Sequence, residues 1–179
     1  MLAVGAFEVG NVAATLLILR ATELLEPGRG QGVATQIALG LYVAYNVAAT
    51  LISLIAGRAS DSFGNVPVLA TGAASFLIAY LGFATTNVAL VAAAFVVAGI
   101  GIGCVEIAEN AAVASLSPEQ YRGSAFGLLA AIQSFGNLAA SAVTGLLWTA
   151  LSPQVAFAYF AVWMVAALAT FVGFFGSRR

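Results

Sequence analysis

Long apolar runs, each close to the length of one membrane-spanning helix, occupy almost the whole of this sequence. A helix needs about 20 apolar residues to cross the hydrocarbon core of a bilayer. Cutting the chain at its charges and turn residues leaves six such runs, at about 2–25, 33–56, 66–84, 88–115, 123–148 and 155–175. We therefore predict a single six-span transmembrane domain that covers residues 1–179.

The scarcity of charge excludes a soluble globular domain. Charged residues make up 7% of the chain, against about 25% in ordinary soluble domains. The runs lack the polar and apolar alternation of transmembrane β-strands, and a helix satisfies its own backbone polar groups in lipid. The predicted fold class is all-α, a polytopic membrane bundle. A net charge of −1 leaves no basic face for nucleic acid.

Residues that carry the common catalytic chemistries are missing from the sequence. It has no histidine, and its single cysteine, Cys104, lies within an apolar run. Neither a disulfide within the chain nor a multi-cysteine metal site is therefore expected. No phosphate-binding loop or serine elbow is present. We predict that the protein is not an enzyme and uses no cofactor or metal. Because no basic residue precedes Arg20, the first run does not resemble a cleaved signal peptide.

Strongly polar side chains are concentrated in four of the six runs. The third and sixth runs are nearly free of them, so we expect those two helices to face lipid and the other four to surround a polar interior. The first run resembles the fourth in its acids and the second resembles the fifth in its amides, which predicts the three-plus-three inverted repeat of many secondary transporters. The candidates for a substrate or proton pathway are Glu8, Asn11, Tyr45, Asn46, Glu106, Glu109, Asn110, Gln133 and Asn137.

Carboxyl groups are the strongest of these candidates. An ionised carboxylate in the bilayer centre is costly, so such groups normally face a cavity or a partner. Glu8 with Asn11, and Glu106 with Asn110, would form polar stripes on two helices that line one cavity. The alternative is that these acids are protonated and bond to neighbouring helices. Glu109 could lie close enough to the cytoplasmic end to contact water.

The fifth run carries amides on one helical face. Gln133, Asn137 and Ser141 are spaced four residues apart. They either line the same cavity or form hydrogen bonds between helices, a common use of such residues.

Small residues at four-residue spacing predict close helix contacts. The pairs are Gly99 with Gly103, Gly123 with Gly127, Gly136 with Ala140 and Ser141 with Gly145.

The distribution of arginines predicts the orientation, because basic residues in short loops favour the cytoplasmic side. With alternating spans, Arg29 lies outside, and near it we expect Arg20 to pair with Glu23 at the outer surface. Both termini are then cytoplasmic, in a cell membrane. The arginines assigned to the cytoplasmic side are Arg58, Arg122, Arg178 and Arg179.

A short glycine-framed turn separates the second and third runs. It reads Gly57-Arg58-Ala59-Ser60-Asp61-Ser62-Phe63-Gly64. We expect a tight surface loop in which Asp61 caps the following helix. The spacing of its glycines, Ser60 and Asp61 resembles the signature loop of the major facilitator superfamily, which recurs between the second and third helices of each half. Asn65 departs from that pattern, where a basic residue usually follows.

Other segments extend the resemblance over nearly the whole chain. Arg122-Gly123 and Gly127, after Ser117-Pro118, resemble the start of the eleventh helix of the superfamily, and Gly10-Asn11 looks like part of its seventh. The chain thus resembles the C-terminal six of twelve helices, or half a transporter.

The resemblance implies a secondary transporter in which two six-helix halves rock about a central substrate site, often with proton coupling. By this resemblance Glu106 is the leading proton carrier, since burial favours the neutral form of a carboxyl group. The implied partners are a small-molecule substrate, protons, the lipid bilayer and a second six-helix half, either a separate chain or a second copy of this one. The same candidates, Glu109 excepted, would face that site.

Two alternatives stay open at this point. The chain could be a truncated or split-gene product that folds in the membrane and transports nothing itself, an interpretation favoured by the position of Met1 beside the first run. It could also be a membrane scaffold or regulatory subunit, although its short loops offer little surface for a partner.

Overall fold

The computed structural model describes residues 7–176, with side chains described through residue 170. Six α-helices lie wholly within this range, in agreement with the all-α class predicted from the sequence. They are α1 (Ala14–Arg29), α2 (Gln31–Phe63), α3 (Asn65–Phe83), α4 (Val88–Leu116), α5 (Arg122–Ala150) and α6 (Pro153–Gly176), with a 3-10 turn at Glu119–Tyr121 before α5. By length and composition, the five helices α2 to α6 are suited to cross a membrane.

The first apolar run does not form one continuous helix. Phe7 and Glu8 are helical, a turn follows at Val9 and Gly10, and residues 11–13 are non-helical before α1 begins. Helix α1 has 16 residues and rises about 24 Å, which is less than the hydrocarbon core of about 30 Å. The expected uninterrupted helix over 2–25 is therefore wrong within the described part of that run. Residues 2–6 of the run lie outside the described residues. That this first run crosses the membrane therefore stays a prediction.

Tyr80 of α3 bonds to both sides of this break, which we call the broken segment (residues 7–13). Its hydroxyl donates to the carbonyl oxygen of Gly10 and accepts from the backbone N–H of Val12, both at 2.9 Å. A backbone that leaves the helical ladder within a membrane needs other partners for its polar groups. Tyr80, which is fully buried, supplies two of them.

Helix α2 continues through most of the residues expected to form a loop. It extends to Phe63, and only Gly64, with a φ of 87°, separates it from α3. Glycine adopts this positive φ without steric cost. Asp61 is exposed in the last turns of α2 and does not cap α3. Instead, the Ser60 hydroxyl donates to the side-chain oxygen of Asn65 across the junction, so the predicted loop is corrected to a single-residue joint.

Helix α4 lies at the centre of the bundle and packs against α2 and α3, while α3 also packs against α6. Phe83 of α3 stacks on Phe157 of α6 with ring centroids 5.2 Å apart, and meets Phe95 of α4 edge to face at 5.1 Å. Half of the membrane-length part of α3 and 33% of that of α6 are buried in the chain. The rest of each helix is open and exposes apolar side chains such as Ile78 and Val162, so the expectation that these two helices face lipid stays a prediction.

Helices α2 and α5 are the least buried. Only 6% of the membrane-length part of α2, and 17% of that of α5, is covered by the rest of the chain. Many of their exposed side chains are large and apolar, among them Leu51, Leu54, Phe135, Leu138 and Leu146. Helices α2 and α5 therefore give the bundle a large exposed apolar surface.

Small residues on α4 bring its backbone directly against α2. A methyl group on Gly99 would clash with the carbonyl oxygen of Tyr45, and one on Gly103 would lie 2.6 Å from another backbone carbonyl oxygen of α2. The packing role predicted for this pair is confirmed. Gly123 and Gly127 of α5 have no described atom within 4 Å of their Cβ positions, so the same prediction is wrong for contacts within the described chain.

Arg20 of α1 is buried and bonds to the end of α3. Its guanidinium group donates to the carbonyl oxygens of Phe83 at 3.1 Å and Thr85 at 2.7 Å. Carbonyls at a helix C-terminus lack partners within the helix, and a cation is favourable there. Glu23 accepts a hydrogen bond from the indole N–H of Trp148 at 3.2 Å. Arg20 and Glu23 also interact electrostatically, but Arg20 is buried rather than at the surface, where the pair was expected.

Candidate functional site

A polar cavity of about 540 Å³ opens between the broken segment and helices α2, α4 and α5. Six of the nine residues predicted from the sequence line it. They are Glu8, Asn11, Tyr45, Glu106, Gln133 and Asn137. The cavity therefore unites candidates from four separate apolar runs.

The broken segment supplies the first wall of this cavity. Asn11 donates from its side-chain amide to the Glu8 carboxyl group at 3.2 Å, and Asn137 of α5 donates to the backbone oxygen of Asn11 at 3.4 Å. Glu8 is buried. A Cβ atom on Gly136 would lie 2.5 Å from the Cβ of Glu8, so the glycine lets the broken segment approach α5. The continuous helical stripe expected for Glu8 and Asn11 is replaced by this turn.

The opposite wall consists of α2 and α4. Glu106 of α4 is exposed, and Tyr45 of α2 is half-buried. The Tyr45 ring stacks on that of Tyr42, with centroids 5.5 Å apart. The cavity lining thus includes an exposed carboxyl group and the ring of Tyr45.

Glu109 lies behind the cavity, in the interface between α4 and α5. It is fully buried, and one carboxyl oxygen accepts a 2.8 Å hydrogen bond from the Gln133 amide. The other oxygen has no hydrogen-bond partner among the described residues. The suggestion that Glu109 contacts water near a helix end is therefore wrong within this chain. Gln133 contacts Glu109 while also lining the cavity.

The remaining predicted residues lie outside the cavity. Asn46 donates to the carbonyl oxygen of Tyr42 on its own helix at 2.7 Å and lines a separate shallow pocket on α2. Asn110 is exposed and does not line the cavity. Ser141 has a buried hydroxyl with no described hydrogen-bond partner.

Residues named for the family resemblance lie at helix ends. Arg58 is exposed and Gly57 half-buried in the last turns of α2, while Arg122 and Gly123 begin α5, exposed. Arg178 and Arg179 lie outside the described residues.

Sequence reasoning missed several contributors. Val12, Ala14, Ile102 and Ser134 line the cavity, and their small or apolar side chains carry no signal of their own. Tyr80, which bonds to the broken segment, lies in the apolar third run, where a single tyrosine gives no sign of such a role. The Gly10-Asn11 pair, a combination typical of turns, could have indicated the break. Within the described part of the chain, no cluster of three or more His, Cys, Asp or Glu side chains is placed to hold a metal.

Membrane-length helices around a cavity rich in carboxyl and amide groups are typical of membrane transport proteins. Residues 3–179 match the model of the Major Facilitator Superfamily, and the chain belongs to this family of transporters.

Similar proteins are longer than this chain. The uncharacterized MFS-type transporter MJ1317 of Methanocaldococcus jannaschii is 32% identical over 155 residues, which are 86% of this chain and 38% of that protein. The proton:xylose symporter XylE bound to 6-bromo-6-deoxy-D-glucose aligns with a TM-score of 0.77 and 17% identity, over 96% of this chain and 42% of the other. The inward-open xylose transporter XylE of E. coli aligns with a TM-score of 0.73 and 18% identity, over 96% and 46%. The chain spans less than half the length of each, and the structural likeness shows a shared fold.

Proposed function

We propose that this chain is the C-terminal half, helices seven to twelve, of a secondary active transporter that moves a small molecule by alternating access and is coupled to protons. The cavity carries this proposal. Polar side chains from four separate segments converge there in a bundle that is otherwise apolar. A membrane protein retains such costly groups where they line a path for a solute or proton.

The assignment to the C-terminal half is supported by the sequence resemblance. Gly57, Ser60, Asp61 and Gly64 match the spacing of the signature loop, and the Arg122-Gly123 start of α5 resembles the eleventh helix of the family. The extent of the alignments, less than half of each relative, agrees with one half of a twelve-helix protein.

A second six-helix half is the partner that this geometry favours. The cavity is open, and the neighbouring helices α2 and α5 expose apolar side chains along their lengths. A second bundle against α2 and α5 would enclose the cavity and give it two alternating openings. The second half is either a separate chain or another copy of this one, which would pair by two-fold symmetry.

Proton coupling is supported by the position of Glu106. Its carboxyl group is exposed at the cavity and shares that cavity with Glu8. Two carboxyl groups in one low-dielectric cavity resist simultaneous ionisation, so protons can be taken up and released there. XylE, which shares the fold, is described as a proton:xylose symporter.

The proposed location is a cell membrane with both termini in the cytoplasm. Labelling by a membrane-impermeant maleimide tests this orientation in a Cys104→Ala background. We expect Ser62→Cys, in the last turn of α2, to be labelled from the cytoplasm and Thr86→Cys, after α3, from outside. The reverse pattern would contradict the orientation.

Transport in liposomes tests the function directly. The purified chain, alone and together with a co-expressed six-helix partner half, would be reconstituted under an imposed proton gradient. Uptake would be measured for radiolabelled sugars, amino acids, organic cations and organic anions. We expect one class to accumulate above the level of empty liposomes, and Glu106→Gln to lower that uptake at least 10-fold. Glu119→Gln, which changes an exposed acid outside the cavity, should leave uptake unchanged.

Two outcomes would count against this function. If no class accumulates with any partner half, the non-transporting fragment or the scaffold is the better interpretation. If uptake survives Glu106→Gln intact, Glu106 is not the proton carrier.

A further inference from the structure

The cavity contains acids and no basic side chain from the described part of this chain. Its charged lining residues are Glu8 and Glu106, and its other polar groups are neutral amides, a hydroxyl and a phenol. Carboxylates inside a membrane bundle are normally compensated by a cation or a proton. The source of that compensation therefore decides what the cavity binds.

The basic side chains of the described residues do not supply the compensating charge. The chain has no lysine or histidine, so its six basic residues are all arginines. Arg20 donates hydrogen bonds to the carbonyl oxygens at the end of α3. Arg29, Arg58 and Arg122 are exposed at helix ends. The last two arginines are at the C-terminus, outside the described residues. None of the described arginines lines the cavity.

An aromatic ring adjoins the acids. Tyr45 lines the cavity, and its ring is braced by stacking on Tyr42 at 5.5 Å. The face of an aromatic ring attracts cations, and quaternary ammonium ligands are commonly bound by aromatic rings. A carboxylate and an aromatic face together distinguish a cationic organic molecule from a neutral or anionic one.

We propose that the ligand of this cavity is an organic cation, bound through its charged group by Glu106 and Glu8 and by the ring of Tyr45. This inference rests on the proposed function, because it assigns a substrate class to the same cavity. The amides of Gln133 and Asn137 then contact polar groups on the rest of the ligand. A cavity of about 540 Å³ is large enough for a molecule of drug-like size.

Equilibrium binding tests the proposal without requiring transport. The full chain, in detergent and with its partner half where one is found, would be titrated with two matched pairs of probes. Choline is compared with its neutral isostere 3,3-dimethyl-1-butanol, and methyltriphenylphosphonium with triphenylphosphine oxide. We expect at least one cation to bind at least 10-fold more tightly than its neutral counterpart.

Variants link that binding to the cavity. We expect Glu106→Gln to weaken cation binding at least 10-fold while leaving the neutral probe unchanged, and Tyr45→Leu to weaken it several-fold. Glu119→Gln is the matched control and should bind as the wild type does. Size-exclusion elution and helical circular dichroism confirm that each variant is folded, and Glu106→Asp, which retains the charge, should recover part of the binding.

The outcomes separate this inference from the transport proposal. Neutral probes that bind as tightly as the cations, no binding of either cation, or cation binding that ignores Glu106→Gln and Glu8→Gln would each overturn the cation assignment. Accumulation of a neutral solute in the liposome assay would then leave the transporter intact with a different substrate. Cation binding without any transport would support the inference and count against the transport cycle.

Discussion

The side-chain amide of Gln133 donates a 2.8 Å hydrogen bond to the carboxyl group of Glu109, joining α5 to α4 behind the cavity. Glu109 is fully buried and its second oxygen lacks a described partner. A buried polar group that loses its only hydrogen bond costs about 1–3 kcal/mol. This single contact therefore supports a costly group at the edge of the site.

Removal of the Gln133 amide should destabilise the bundle. We expect Gln133→Leu to lower the free energy of unfolding by about 1–3 kcal/mol, because Glu109 then has no hydrogen-bond donor among the described residues. Replacement of both partners, by Glu109→Leu with Gln133→Leu, should recover much of the loss. Unfolding by SDS in mixed micelles measures both. Gln120→Leu, at an exposed position before α5, is the control, and wild-type stability of Gln133→Leu would contradict the argument.

Loss of the Tyr80 hydroxyl should loosen the broken segment. Tyr80→Phe removes both hydrogen bonds to the backbone at Gly10 and Val12 while keeping the ring. We expect the free energy of unfolding to fall by about 1–3 kcal/mol and hydrogen exchange in residues 9–13 to accelerate. Mass spectrometry of peptic peptides measures that exchange. The matched control is Tyr159→Phe, an exposed tyrosine of α6, and equal exchange in the two variants would refute the role of Tyr80.

Addition of a methyl group at Gly136 should push the broken segment away from α5. The new Cβ would lie 2.5 Å from the Cβ of Glu8 and 2.8 Å from its carbonyl carbon. We expect Gly136→Ala to destabilise the chain and to weaken ligand binding at the cavity. Gly127→Ala on the same helix meets no described atom within 4 Å, so it should be neutral or stabilise by up to about 1 kcal/mol. Thermal unfolding of the two variants measures both effects, and equal melting temperatures would contradict the contact at Gly136.

Arg20 should contribute more to the free energy of unfolding than an exposed arginine does. Arg20→Met leaves the carbonyl oxygens of Phe83 and Thr85 without their charged donor, and a hydrogen bond from a charged group contributes about 1.5–3 kcal/mol. Arg29→Met, at an exposed position, should change the free energy of unfolding by less than about 0.5 kcal/mol. Similar melting temperatures for the two variants would show that the end of α3 does not need Arg20.

The features that were predictable from the sequence are those set by local composition. Continuous apolar runs predicted α2 to α6, because hydropathy over about 20 residues decides membrane insertion. Polar residues such as Glu8, Glu106 and Gln133 could be assigned to one interior because lipid exposure is costly for all of them. These inferences needed no knowledge of which helices touch.

The features that were missed depend on contacts with residues distant in sequence, or on which face of a helix meets its neighbours. The backbone polar groups at the break before α1 bond to Tyr80, which is 68 residues away from Val12. An apolar run does not predict such a contact. Glu106 and Glu109 are three residues apart, yet one is exposed at the cavity and the other is fully buried. Apolar residues occur on every side of α4, so its hydrophobic pattern does not indicate which face meets α5. The Gly57–Gly64 turn was misjudged because charge and glycine suggested a loop where only Gly64 leaves the helix.

The contact of Gly99 with the Tyr45 carbonyl sets the width of one side of the cavity. No side chain separates the backbones of α4 and α2 at that point, so any larger residue at position 99 would force the two helices apart. Tyr45 lies on one of these helices and Glu106 on the other, and both line the cavity. The separation of the aromatic ring from the carboxyl group therefore depends on a residue that has no side chain.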